Sequence, residues 1–233
     1  MSRRFAIALL LATMAIALWY RDELANDDRS QPLATASTQQ AHPGTSFDFY
    51  VLALSWSPTF CLTSSAGNNN QQCDTGLRHG FIVHGLWPQY ETGYPEFCAS
   101  DEPQRVPSAL GKTVADIMPG MGLVGHQWRK HGSCTGLGQR DYFALVRKAR
   151  DRIIIPDELE NVTRRHNLPI SDLETEIIAE NPGLTRGAIA VTCDGNRLDE
   201  IRICLTKDLD FRDCPEVDRK ACPLTNIVIP VLR

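Results

Sequence analysis

Two short segments of the chain hold residues that can move protons beside a fixed cation. The first is FIVHGLWP at residues 81–88, and the second is HQWRKHGSC at residues 126–134. On a helix with about 100° per residue, four side chains of the second segment share one face: His126, Gln127, Lys130 and His131. Two imidazoles, an ammonium group and an amide make this face cationic and rich in hydrogen-bond donors.

These groups suit attack on a phosphodiester. One histidine takes a proton from a hydroxyl nucleophile, and the other gives a proton to the departing oxygen. The lysine stabilises charge that develops on the phosphoryl oxygens. Histidine titrates at about pH 6.5, so both of its forms are present at mildly acidic pH. When the nucleophile is the 2′-hydroxyl of RNA, no metal ion is required, and DNA does not react because it lacks that group.

A metal site is the alternative use of His84, His126 and His131. His126 and His131 stand about 140° apart on the helix, and the helical segment has no acidic residue to complete a hydrolytic zinc site. We therefore favour acid–base chemistry and expect neither a metal nor a cofactor. The other histidines are interpreted as ordinary surface or core residues: His42, His79 and His166.

Five segments predict strands. Residues 47–56 are rich in aromatic and β-branched side chains, and residues 80–85 predict a short strand that ends at His84. Further strands are predicted at 188–193 and 198–205, on either side of an Asp-Gly turn, and at 227–231. Helices are predicted between the first and last strands. This order indicates an α+β fold with helices packed on a central antiparallel sheet.

Four helices are predicted from periodicity and end signals. Three lie near 107–118, 126–131 and 142–152. The fourth is predicted to open with the capping box Ser171-x-x-Glu174 and to stop near Asn181.

The N-terminus predicts export. Two arginines precede an apolar run from Phe5 to Tyr20, which is typical of a signal peptide. This run is shorter than the ~17–25 residues of a membrane helix. An uncleaved membrane anchor is the alternative interpretation of the same segment. We expect a signal peptide or anchor at 1–24, a polar linker at 25–45 and a folded domain at 46–233, located in the periplasm or secreted.

Charge and cysteine content narrow the function classes. A net charge of −4 argues against a histone-like or operator-type DNA binder, which needs a broad basic face. All eight cysteines lie between Cys61 and Cys222, and an even count in an exported chain predicts disulfides. Zinc ribbons need closely spaced cysteine pairs, which the sequence does not contain.

With these motifs in this order, the chain resembles the ribonuclease T2 family of exported, acid-active, base-nonspecific ribonucleases. HGLWP at 84–88 looks like the family's first active-site segment, and KHGSC at 130–134, with Trp128 before it, looks like the second. FYVLALSWSPTFC at 49–61 fits the start of the family's domain. The resemblance runs from about residue 47 to about residue 230.

The resemblance implies a monomeric, metal-independent endoribonuclease. It would cleave single-stranded RNA by transphosphorylation through 2′,3′-cyclic phosphates, with little base specificity. His131 would be the general base and His84 the general acid. Lys130 would stabilise the transition state, and His126 would hold a phosphate oxygen.

The resemblance also implies a base-binding region. Trp87 and Tyr94 lie where the family places aromatics that stack on bases, and stacking suits a nonspecific enzyme because every base has a π-face. Gln89 lies where residues tune base preference.

Gln127 departs from the family pattern, which normally has Glu at that position. An amide donates a hydrogen bond to a phosphoryl oxygen but cannot ionise. Loss of one assisting group typically lowers the rate by ~10²–10³. The second hypothesis is therefore a catalytically weakened family member that binds RNA or a protein partner.

The resemblance selects four disulfides from the possible pairings. The second would join the loop after His84 to the end of the second active-site helix. The four bridges are Cys61–Cys73, Cys98–Cys134, Cys193–Cys222 and Cys204–Cys214.

Overall fold

A computed structural model describes residues 46–63, 71–73, 76 and 78–232. The predicted signal or anchor at 1–24 lies outside the described residues, and so does the linker at 25–45. In the part of the chain that is described, no helix is both long and apolar enough to cross a membrane.

Six strands form one sheet in the order β2-β1-β5-β6-β3, and β4 pairs with β5. Pairing is antiparallel, as predicted, except between β5 and β6, which meet in parallel at Arg197 and Val228. The hairpin between β4 and β5 turns through Gly195, which has φ +60°. The strands are β1 Phe49–Trp56, β2 Phe81–Gln89, β3 His166–Pro169, β4 Ile189–Asp194, β5 Arg197–Leu205 and β6 Asn226–Ile229.

Seven α-helices occur in the described ranges. The element nearest the chemistry is α3, which contains most of the second active-site segment and ends at Lys130. The helices are α1 Ser57–Thr63, α2 Ser108–Lys112, α3 Met121–Lys130, α4 Gln139–Asp151, α5 Asp157–Glu160, α6 Ile170–Glu180 and α7 Pro215–Asp218.

Two helix predictions need correction. The predicted helix at 107–118 is helical only at α2, and turns follow it. Gly111 sits inside this short helix, where glycine is a poor helix former. The predicted capping box of α6 is wrong because the helix begins one residue before Ser171. Glu174 pairs with Arg186 at 3.0 Å instead of closing on the N-terminal backbone.

The main core lies on one face of the sheet. Leu52, Leu54 and Trp56 alternate along β1 and are fully buried. Tyr142 and Phe143 of α4 pack in the same cluster. Removing a buried leucine side chain of this kind costs about 2–5 kcal/mol. A smaller buried cluster that includes Phe49, Val51 and Cys204 packs on the opposite face, and the rest of that face is left to carry a site.

All four predicted disulfides are present, and the described residues include no free cysteine. Cys98–Cys134 joins the loop after β2 to the short 3₁₀ turn Gly132–Cys134 that follows α3. The bridge therefore connects the two chain segments that carry the histidines, as predicted.

Candidate active site

A β-bulge in β2 puts His84 and Trp87 on the same face of the sheet. Residues three apart in a regular strand face opposite sides. The pairing of β2 with β1 shifts between Ala53 and Leu54, and His84 is the extra residue at this shift. The prediction that the strand ends at His84 is wrong, because the bulge absorbs the irregularity and β2 continues to Gln89.

Gly85 is required by the close packing behind the bulge. A Cβ atom at this position would lie 2.2 Å from both Gln127 Oε1 and Trp87 Nε1. Those two atoms form a hydrogen bond of 2.8 Å in which the indole N–H donates to the amide oxygen. Gln127 is 1% exposed, so the indole of Trp87 is held by a hydrogen bond to a buried amide.

One pocket with a volume of about 320 Å³ brings together all eight predicted catalytic and substrate-binding residues. They come from β2, from the loop that follows it, and from the end of α3, as the shared helical face predicted. The eight residues are His84, Trp87, Gln89, Tyr94, His126, Gln127, Lys130 and His131.

His131 lies just past the end of α3, where the backbone leaves helical geometry with φ −122° and ψ −47°. The ring stacks on Trp87 with 5.2 Å between centroids, and the residue is 5% exposed. Burial, followed by the positive charges of Lys130, His84 and His126, lowers the pKa of His131 to about 3. In the substrate-free protein the imidazole is therefore neutral at mildly acidic pH.

Lys130 and His126 are the remaining proposed catalytic side chains of the pocket. The ammonium of Lys130 lies 3.6 Å from the carboxylate of Glu96 and 5.9 Å from the ring centre of Tyr94. The Glu96 side chain is 47% exposed, so this ion pair is weak and a phosphate can replace it. Partial burial, then the charges of Lys130, Arg129 and His84, lower the pKa of His126.

The predicted base-binding residues differ in exposure. Tyr94 is 45% exposed and lies beside His131, with 6.2 Å between ring centroids. Gln89 is 8% exposed, and its amide nitrogen donates to the backbone oxygen of Pro88 at 3.0 Å. Tyr94 is thus open to stacking, whereas Gln89 is held at the pocket wall.

Sequence reasoning missed Glu200 and Arg202 on β5. His84 Nδ1 is hydrogen-bonded to Glu200 Oε1, and Arg202 donates to Glu200 Oε2 at 2.9 and 3.0 Å. Arg202 also lies 5.4 Å from the ring centre of Trp87. No local pattern singles out these two residues, because β5 contains four charged side chains: Arg197, Asp199, Glu200 and Arg202.

A second cavity of about 920 Å³ adjoins the pocket and shares His84, His126 and Arg202 with it. Its walls include the apolar side chains of Phe60 and Leu123. The two histidines therefore lie between two cavities. Among the residues that the structure covers, no group of three or more His, Cys, Asp or Glu side chains is arranged to hold a metal ion.

The chain is similar to known ribonucleases in sequence. It matches the ribonuclease T2 family over residues 47–214. It is 38% identical over 128 residues to a ribonuclease of Aeromonas hydrophila. That alignment covers 55% of this chain and 56% of the relative, so the chain spans little more than half of the relative's length.

Solved structures share the fold. An RNase-related protein from Calystegia sepium aligns with a TM-score of 0.64 at 21% identity, covering 80% of this chain and 98% of that one. RNase NT in complex with 5′-AMP aligns with a TM-score of 0.57 at 23% identity, covering 80% and 100%. Since the family match extends over well more than half of the 233 residues, the chain belongs to the ribonuclease T2 family.

Proposed function

We propose that this protein is an endoribonuclease that cleaves single-stranded RNA through 2′,3′-cyclic phosphates without a metal ion. The main support for the proposal is that His84 and His131 line one pocket, together with Lys130 and His126. Two histidines and a fixed cation provide the base, the acid and the charge stabilisation that transphosphorylation needs.

In the first step, His131 takes the proton of the 2′-hydroxyl, and the 2′-oxygen attacks phosphorus. The bond from phosphorus to the 5′-oxygen breaks, and His84 gives that oxygen a proton. In the second step, the roles exchange. His84 takes a proton from water, which opens the cyclic phosphate, and His131 returns a proton to the 2′-oxygen. Each histidine thus ends the cycle as it began.

The low pKa of His131 supports its role as the base. At pH 5 its imidazole is neutral and can accept a proton. A base with so low a pKa is weak; burial lowers this pKa most, and positive charge nearby, above all that of Lys130, lowers it further. A bound phosphodiester counters those charges and raises the pKa of His131 toward a more effective range.

The shape and chemistry of the pocket favour single-stranded RNA. Tyr94 offers an exposed aromatic face on which any base can stack, and Trp87 lines the same pocket with the ring of His131 stacked on it. The cavities on both sides of His84 and His126 provide room for nucleotides on both sides of the scissile phosphate, as internal cleavage requires. The similar RNase NT is described in complex with 5′-AMP, which supports a nucleotide ligand here.

The test is digestion of single-stranded RNA by the purified protein in chelator, at pH 5–7, with products identified by mass. We expect 2′,3′-cyclic phosphates from the wild type and at least a ~10²-fold loss of rate in His84→Ala and in His131→Ala. His166→Ala, on β3 and outside the pocket, is the matched control. Unchanged cleavage in the two variants would refute the proposal.

The weakened-enzyme alternative makes a different prediction in the same experiment. Gln127 motivates it, since this residue cannot ionise. RNA binding with negligible turnover by the wild type, and recovery of rate in Gln127→Glu, would identify that alternative. Activity that disappears in chelator would instead indicate a metal-dependent hydrolase.

We further propose that the protein is exported and monomeric, with a signal peptide or anchor at 1–24, a linker at 25–45 and the ribonuclease domain at 46–233. Four disulfides support an oxidising compartment, because cytosolic thiols stay reduced. Fractionation of the expressing cells tests export, with a variant that lacks residues 2–24 as the control. Recovery of wild type in the cytosol would contradict it.

A further inference from the structure

A buried carboxylate on β5 lies directly behind His84. In the sheet, β1 runs between β2 and β5, so the two outer strands are about 10 Å apart. The β1 residue paired with Glu200 is Ser55, and the one paired with Arg202 is Ala53. Because both β1 side chains are small, the side chains of His84 and Glu200 can meet across the middle strand.

The carboxylate of Glu200 is fully engaged. The residue is 4% exposed, and a buried charge is tolerated only when it is paired and hydrogen-bonded. One oxygen bonds to His84 Nδ1, and the other accepts two hydrogen bonds from Arg202. Burial raises the pKa of Glu200, but the hydrogen bond from His84 and the charges of His84 and Arg202 outweigh it and keep the pKa below its ordinary value.

The two site histidines differ in what holds them. His84 Nδ1 is hydrogen-bonded to the carboxylate of Glu200. His131 Nδ1 is buried and has no hydrogen-bond partner among the described residues, and its surroundings favour the neutral ring. This asymmetry matches an acid at His84 and a base at His131.

We propose that Glu200, held in place by Arg202, is a positioning residue for His84. The carboxylate accepts the Nδ1–H, which leaves Nε2 as the nitrogen that faces the substrate and gives up its proton. After that transfer, Nδ1 keeps its proton, and Nε2 is ready to accept one from water. In a chain with Gln127 at the usual carboxylate position, Glu200 supplies the site with an ionised carboxylate by another route. The inference rests on the proposed function, in which His84 is the general acid.

Arg202 extends this arrangement to the base-binding region. Its guanidinium pairs with Glu200 and also lies against the face of Trp87. A guanidinium that makes both contacts holds the carboxylate and the aromatic ring in a fixed relation. The orientation of His84 and the position of Trp87 are therefore set by the same side chain.

Two measurements test the proposal. Nitrogen-15 NMR of the imidazole rings in the wild type reports the tautomer of neutral His84 without any assay of activity. We expect the proton on Nδ1. A neutral ring with its proton on Nε2 would overturn the proposal, even if every Glu200 variant failed to fold.

The second measurement is steady-state cleavage of RNA by Glu200→Gln and Glu200→Asp. We expect kcat of Glu200→Gln to fall ~10–100-fold with little change in KM, and Glu200→Asp to recover part of the loss. The matched control is Glu174→Gln, which removes another carboxylate paired with an arginine, remote from the pocket. Wild-type kcat in folded Glu200→Gln would overturn the proposal. Absence of cleavage by the wild type would instead refute the proposed function, and the NMR result would stand by itself.

Discussion

The low pKa of the buried His131, just past the end of α3, predicts how the stability of the protein depends on pH. In the folded protein, the pKa of His131 is about 3, whereas in the unfolded chain a histidine titrates at about 6.5. Between these two values the unfolded state binds one more proton than the native state. The contribution of His131 to stability is therefore complete above about pH 6.5 and is lost as the pH falls toward 3.

The magnitude follows from the two pKa values. The free energy of unfolding should fall by about 1.4 kcal/mol per pH unit between about pH 6 and pH 4 through this residue alone. From pH 7 to pH 4.5 the total is about 2.5 kcal/mol. Replacing His131 with Gln removes the titrating group, so this share of the acid destabilisation should disappear.

Urea unfolding of the purified protein with intact disulfides, followed by tryptophan fluorescence at pH 7, 5.5 and 4.5, measures the effect. We expect the free energy of unfolding of His131→Gln, relative to that of the wild type, to increase by about 2.5 kcal/mol as the pH falls from 7 to 4.5. His126→Gln should show a smaller change in the same direction. Gln139→Ala, at a buried residue that does not titrate, is the control and should shift stability equally at each pH. A pH-independent difference for His131→Gln would refute the reasoning.

Three further predictions concern the site. Inorganic phosphate should raise the pKa of His131 by countering the charges around it, as NMR titration of the ring with and without phosphate will show; an unchanged titration counts against phosphate binding there. Gln127→Glu should raise kcat by at least ~10-fold, measured beside wild type on the same RNA, and an equal or lower kcat would mean that the amide is not limiting. Cys98→Ala should lower kcat/KM more than Cys204→Ala at matched folded fraction, since only the former loosens the link between the histidine segments; equal losses would contradict this.

The parts of the site that depend on local periodicity could be predicted from the sequence. A helical repeat of about 100° per residue placed His126 and Lys130 on one face, and the structure brings both to the pocket. Disulfide pairing came from the resemblance to a family, because the spacing of eight cysteines does not select one pattern.

The parts that depend on strand register could not be predicted in the same way. The strand predicted at 80–85 was expected to end at His84, whereas in the structure the strand continues and Gly85 lets Trp87 and Gln127 approach. Glu200 is 116 residues away from its partner His84. No local sequence pattern predicts such a contact. It forms because β2 and β5, which are far apart in the chain, pair with opposite edges of β1.

The bulge in β2 also limits how the sequence can change in length. Deleting Val83 would remove the bulge but leave His84 and Trp87 three residues apart, so in a regular strand one of the two side chains would have to point into the core. Inserting one residue would move every side chain on one side of the insertion to the other face of the sheet. Substitutions in this segment alter one side chain at a time, but a one-residue insertion exchanges pocket for core along the remainder of the strand. The strand can therefore diverge in composition far more readily than in length.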